Sequence, residues 1–349
     1  MIYIFAEYIL HLSLIYFLVK SDYGINIFSQ KIISVQTFLY ICHINIQIME
    51  AIRTFSQLTE HLKKNADRKR VALVCGYDDN SFAAVKRALR EGLAEFIMVG
   101  DGKRLCRFME LEHAERYINI VDEPNLDNAA RRAIDLIHEG KADILMKGII
   151  NTDNLLKAVL NKEHGLLQQG RILTHLTVMH VPMYNKLLFF SDAAVIPNPT
   201  LVQRVEMIKY AVDVCHRFGI EQPRVSLIHC SEKVNPKFPI TIDYTEIVKM
   251  CADGEFGNAI VDGPLDVRVS CDKVSMNVKG IHSQIDGDAD VLLFPDIEAA
   301  NCFYKSATLF AHAEIAGMLM GPMCPVVLPS RSDSVRTKFY SLAMALVNV

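Results

Sequence analysis

Two runs of consecutive apolar residues, Val71-Ala72-Leu73-Val74 and Ile144-Leu145-Met146, constrain this chain more than any other feature. An amphipathic strand alternates in polarity; a strand that is apolar at every position is covered on both faces, which is the situation inside a parallel sheet sandwiched by helices. Helical stretches separate these runs. Strands are expected at Val71 to Cys75, Phe96 to Val99, Ile144 to Met146, Leu187 to Phe190, Val225 to Ile228, Ala259 to Val261, Val291 to Phe294 and Val326 to Leu328. Helices are expected at Phe55 to Lys64, Ser81 to Glu91, Asp127 to His138, Leu155 to Leu160, Thr200 to Phe218 and from about Ser334 onward, with Gly219 ending the fifth of them as a C-cap. Strand alternating with helix predicts an α/β fold with doubly wound parallel sheets, organised as two domains with a cleft between them where a small ligand sits.

Composition narrows the chemistry. Half the 349 residues are apolar and the formal net charge is −3, so a large core is available and the clustered basic excess of a nucleic-acid binder is missing. Nine cysteines occur without a C-x-x-C pair or a metal-type Cys/His spacing; they read as reduced thiols in a cytoplasmic protein, and no metal ligand is assigned.

Residues 1–48 differ from everything that follows. About a quarter of them are Ile, charge is sparse, and no steady period emerges. Met1 to Val19 has the length of a membrane span but is interrupted by Glu7 and His11, and a basic n-region with a cleavage site is absent. The favoured expectation is a translated upstream leader with the natural start at Met49; a membrane anchor and an extra helix pair are the alternatives.

Four polar segments follow strand ends, where open α/β sheets bind ligands. Pro329-Ser330-Arg331-Ser332-Asp333-Ser334 precedes a helix whose apolar face is Val335, Phe339, Leu342 and Leu346. One of Ser332, Asp333 or Ser334 caps that helix; its free N–H groups, a hydroxyl and the planar fork of Arg331 make an anion site. The plainer account is a helix cap beside a solvated arginine. Lys147-Gly148-Ile149-Ile150-Asn151-Thr152-Asp153 has the same strand-to-helix setting, with charge from Lys147 and close backbone approach at Gly148, although it is not a Walker A loop. Asn301 and Lys305 lie four apart on one helical face, which reads locally as a solvated face and otherwise as a polar pair toward a cleft. Ser191 to Pro199 reads as a proline-directed structural crossover, unless Asn198 lines the cleft.

At these segments the chain resembles the phosphate acetyl/butyryltransferase family, closest to its phosphate butyryltransferase branch, from about Phe55 to the C-terminus. The resemblance is carried by Lys141 to Gly148 with Thr152, Ser191-Asp192 through Pro199, Val234 to Lys237, Asp262 to Leu265, Ala289 through Asn301 with Tyr304-Lys305, and Ser330 to Ser334 with Lys338. It implies two domains of the isocitrate/isopropylmalate dehydrogenase-like type, residues 50–168 with 318–349 and residues 169–317, in a homodimer or higher homo-oligomer. It implies acyl-CoA and phosphate as substrates, coenzyme A being a substrate with no tightly bound cofactor, and no nucleic-acid or membrane partner. The reaction it implies is a ternary-complex transfer in which the coenzyme A thiolate attacks an acyl phosphate. Ser330, Arg331 and Asp333 are then the catalytic candidates, with Lys147, Gly148, Thr152, Asn198, Asn301, Lys305, Ser332 and Ser334 as substrate-binding candidates. Acetyl-type members place an aspartate where this chain has Thr337; Asp333 is therefore the candidate base, with helix capping as its other reading. An NAD-dependent dehydrogenase, a phosphate:acyl carrier protein transferase and a non-catalytic acyl-CoA-binding module are the competing functions. Val99-Gly100-Asp101-Gly102 does not match the dinucleotide fingerprint that the first of these wants.

Overall fold

The structure, a computed structural model, describes residues 50–64, 67–331 and 333–349, so the leader reading and any role of Ser332 fall outside the described residues. Residues Ala51–Val349 form one compact unit. Its eleven strands among the described residues are β1 Lys69–Val74, β2 Ala94–Gly100, β3 Ile118–Asp122, β4 Ile144–Lys147, β5 Thr174–His180, β6 Leu188–Ser191, β7 Arg224–Ile228, β8 Ile260–Leu265, β9 Val291–Leu293, β10 Glu314–Met320 and β11 Val326–Val327. The principal helices are α1 Phe55–Lys63, α2 Asp79–Arg90, α3 Leu126–His138, α4 Thr152–Val159, α5 Leu201–Arg217, α6 Ile240–Ala252, α7 Ile297–Phe310 and α8 Val335–Leu346.

All eleven strands belong to one sheet, in the order β3-β2-β1-β4-β11-β10-β5-β6-β9-β7-β8. The runs that read as doubly covered are so: Val71 to Val74 and Ile144 to Met146 are wholly buried. At one end β3, β2, β1, β4 and β11 are mutually parallel, and at the other β6, β9, β7 and β8 are.

The expectation of separate, wholly parallel sheets requires correction at β5 and β10. They run antiparallel to each other, β5 also to β6 and β10 also to β11, and they join the two parallel blocks into one sheet. Both strands escaped detection for a physical reason. His175 and Thr177 of β5 face a cavity and break its apolar run, and in β10 the run is interrupted at Gly317, where the His175 ring occupies the space a Cβ would take.

Helix ends follow local side-chain chemistry. Asp78 caps α2 by accepting from the Ser81 N–H, Thr200 and Gln203 form a reciprocal capping box on α5, and Asp296 caps α7. For α8 the cap is Ser334, whose hydroxyl accepts from the Thr337 N–H. Among the described residues no helix is long and apolar enough to cross a membrane.

Candidate active site

A cavity of about 190 Å³ opens where strand ends from both parallel blocks converge on the antiparallel pair. Its wall includes Ser330 and Asp333 from the turn after β11, Asn301, Tyr304 and Lys305 from α7, His175 and Thr177 from β5, and Ile315, Ala316 and Gly317 from β10. Four of the sequence-derived candidates, Ser330, Asp333, Asn301 and Lys305, are thus brought to one place from positions up to 32 residues apart.

The turn Ser330–Asp333 is closed on itself. The Ser330 N–H donates to Asp333 Oδ2 at 2.8 Å, and the Asp333 N–H donates back to the Ser330 carbonyl at 3.2 Å. The Asp333 carbonyl in turn accepts from the Asn80 side-chain amide. Since Ser334 is the helix cap, the Asp333 carboxylate is left to shape the turn and face the cavity. Arg331 extends to the neighbouring loop and donates from Nη2 to the Asn151 side-chain oxygen. Asn151 stands at the N-cap of α4 without using its side chain as a cap, so a guanidinium lies beside the N-terminal end of that helix.

Beneath the turn lies a pair of buried lysines. Lys147, the last residue of β4, donates to the carbonyls of Gly148 (3.1 Å) and Pro329 (3.0 Å). Burial, reinforced by the positive charges of Lys338 and Arg331, pulls its ammonium down to about 8. Lys338 of α8 donates to Asp78 Oδ1 at 2.7 Å and Ser81 Oγ at 3.0 Å. Burial alone would raise the Asp78 carboxyl, but Lys338 and Ser81 hold it below the ordinary carboxylate range. Lys147, Lys338 and Arg331 thus bring positive charge close to one another behind the turn, with Asp78 and Asp333 as counter-charges acting on Lys147, and none of the three cations is among the residues lining the cavity.

On the opposite wall Asn301 donates to the Ala193 carbonyl at 3.0 Å, and the Lys305 ammonium rests 4.1 Å from the centre of the Tyr304 ring. Burial, with Asp333 adding to it, pushes the Tyr304 phenol up to about 12. Asp192 is a structural hub: its carboxylate accepts from the Thr174 hydroxyl and from the N–H groups of His175, Ala194, Val195 and Ile196.

Some candidates fall elsewhere. Asn198 is exposed in the turn before α5 and is not among the residues lining the cavity. Gly148 does permit close approach, but of Cys75-Gly76: a Cβ there would lie 2.2 Å from the Cys75 carbonyl oxygen, so the glycine serves the packing of two strand ends rather than a ligand. Thr152 and Ser334 are exposed at the first turn of α4 and the cap of α8. Conversely, His175, Thr177, Asp78 and Ser81 were missed. Lys338 carried a signal, because it falls on the apolar face of α8 beside Phe339 and Leu342, where a lysine needs a buried partner.

The cavity gathers polar and charged side chains from four separate segments, and comparison with known proteins identifies the class of enzyme. Residues 105–346 match the family model described as phosphate acetyl/butaryl transferase. The phosphate butyryltransferase of Clostridium acetobutylicum is 36% identical over 295 residues, covering 84% of this chain and 97% of that protein. The phosphate acetyltransferase of Thermotoga maritima is 38% identical over 281 residues, covering 80% and 95%. A branched-chain phosphotransacylase from Enterococcus faecalis, solved as a crystal structure, superposes with a TM-score of 0.71 at 33% identity, covering 80% of this chain and 98% of that one. The chain belongs to the phosphate acetyl/butyryltransferase family and is a phosphate acyltransferase.

Proposed function

We propose that this enzyme moves a short acyl group reversibly between coenzyme A and inorganic phosphate in a ternary complex, without an acyl-enzyme. The observation that carries the reading is the Ser330–Asp333 turn, which faces the cavity, contains Arg331 and is tied to the Lys147 ammonium through the Pro329 carbonyl. An acyl phosphate attacked by a thiolate develops charge on the carbonyl oxygen and on the departing phosphate. Fixed cations and N–H donors stabilise that charge, each by a few kcal/mol (roughly 3) in a site that excludes water.

Arg331 is the planar fork for phosphate, and its bond to Asn151 holds it in place. Lys147 adds charge, with one N–H left beyond its two carbonyl partners. The Ser330 hydroxyl is assigned to the reacting carbonyl or phosphate, Asn301 and Lys305 to the acyl-CoA side, and Asp333 to holding the turn and supplying negative charge to the cavity. Ser332 is kept as a phosphate contact by its place in the segment. The small, partly apolar wall of Ile315, Ala316 and Leu328 suits a short acyl chain.

The same reading takes the chain as two lobes of the isocitrate/isopropylmalate dehydrogenase-like type, residues 50–168 with 318–349 and residues 169–317, working as a cytoplasmic homodimer. The two parallel blocks flanking β5 and β10 support that division. Exposed Leu309, Phe310 and Met183 supply apolar surface for a second copy. The test follows free thiol released from acetyl-, propionyl-, butyryl- and isobutyryl-CoA with and without phosphate. Phosphate-dependent release is expected; a folded protein that binds coenzyme A yet releases no thiol from any of them refutes the reading.

A further inference from the structure

We propose that His175 takes the proton of the coenzyme A thiol as its sulfur attacks the acyl phosphate, and returns that proton to the departing phosphate; this rests on the acyl-transfer reading above. The S–C bond forms as the C–O bond to phosphate breaks, and the proton passes from sulfur to imidazole to phosphate oxygen, so nothing further is consumed.

The placement of His175 is over-determined. Its N–H is held by Asp192 at 3.0 Å, its carbonyl accepts from the Ser191 hydroxyl at 3.0 Å, and its Nδ1 lies 3.1 Å from Thr177 Oγ1. That leaves the Nε2 edge of the ring, which lies over Gly317 in the cavity wall. A Cβ at residue 317 would come within 2.8 Å of Cε1 and Nε2, so the glycine keeps the space that the ring occupies. In the tautomer whose Nδ1–H donates to Thr177 Oγ1, Nε2 keeps its lone pair, which is the arrangement a proton acceptor in the cavity wall needs.

The surrounding groups fit the task. Burial keeps the imidazole neutral by lowering its pKa, while Asp192 from the end of β6 and Asp333 from the turn before α8 favour the imidazolium once a proton arrives. On α7, the Lys305 ammonium has no lone pair to offer, and the Tyr304 phenol, at about 12, stays protonated. Ser330, Thr337 and Ser341 complete the polar wall with groups that do not titrate near neutrality. The Asp333 carboxylate is already engaged by the Ser330 N–H at 2.8 Å in holding the turn, whereas an imidazole is the side chain suited to accept and return a proton near neutrality.

The experiment measures thioester formation from butyryl phosphate and coenzyme A by wild type, His175→Asn and His175→Gln between pH 6.5 and 9.5. Thermal unfolding and coenzyme A binding establish that each variant is folded. At neutral pH kcat/KM should fall by about 10²- to 10⁴-fold. The deficit relative to wild type should shrink steadily toward pH 9.5, because above about 8.5 the free thiol ionises unaided. A Gly317→Ala variant, which displaces the ring but keeps it, should lose rate while retaining the wild-type pH profile. A deficit that is equal at every pH, or no deficit at all, overturns the assignment while leaving the transferase reading intact; a wild type without phosphate-dependent exchange overturns both.

Discussion

The ammonium of Lys147 and the carbonyl of Pro329, 182 residues apart in the chain, meet at 3.0 Å. This bond joins the end of β4 to the turn after β11, one residue before Ser330. Replacing Lys147 by Met removes both the bond and a cation, and kcat/KM for phosphate should fall by about 10²- to 10³-fold. Steady-state kinetics across pH provide a second check: with the free ammonium at about 8, wild-type kcat/KM for phosphate should decline as pH rises through that value, and the variant should lack this limb.

The same lysine makes a prediction about stability. Its folded pKa, about 8, lies below the ordinary 10.5, so between those values the unfolded chain binds more protons than the native one. Stability therefore rises with pH in that window. Urea unfolding at pH 7.5 and at pH 10 should show wild type gaining on Lys147→Met as pH rises; a constant difference would mean that Lys147 is not perturbed.

Arg331 should not tolerate lysine. Its guanidinium reaches Asn151 through one nitrogen and keeps others for an anion, which an ammonium on a flexible stem cannot reproduce. Arg331→Lys is expected to lose at least about 10-fold and Arg331→Gln about 10²- to 10³-fold in kcat/KM for phosphate, with little change in melting temperature because the side chain is exposed. A Gln variant with wild-type kinetics would remove Arg331 from the phosphate site.

Asp78→Asn should be a stability variant first. It leaves the buried Lys338 ammonium without its carboxylate, a change that costs about 3–5 kcal/mol when an internal ion pair loses one partner. The Asp78 carboxyl is held below its ordinary range, so its stabilisation is present above the unfolded pKa near 4 and is lost as pH falls through the lower folded value. Acid unfolding of the variant should lose that part of the pH dependence, measured by circular dichroism between pH 2 and 6.

Gly148→Ala should destabilise without touching a reacting group. The new methyl would sit 2.2 Å from a backbone oxygen, which no side-chain rotation relieves, and the expected cost is about 3 kcal/mol. A variant as stable as wild type in urea would show that β1 and β4 end differently from the arrangement described here.

Part of the cavity wall was legible because its residues follow strand ends and precede helices, a setting that apolar runs and capping residues mark locally. Ser330, Asp333, Asn301 and Lys305 were found that way and meet at the cavity. His175 left no such mark. It lies on a strand whose alternate residues face the cavity instead of the core, so β5 read as a polar stretch and the histidine within it went unnoticed.

What the sequence by itself determined is local: which segments are buried on both faces, where helices start, which polar turns end strands, and, through the order and spacing of motifs, the family. What only the tertiary structure decided is which of those turns share a space. Lys338 finds Asp78 across 260 positions, and Arg331 finds Asn151 across 180. The antiparallel pair β5 and β10 joins the two parallel blocks and carries His175 into the cavity wall. The physical reason is that charge–charge contacts and strand pairing depend on distance through space, and a pattern of apolar and polar residues along the chain encodes burial but not the partner.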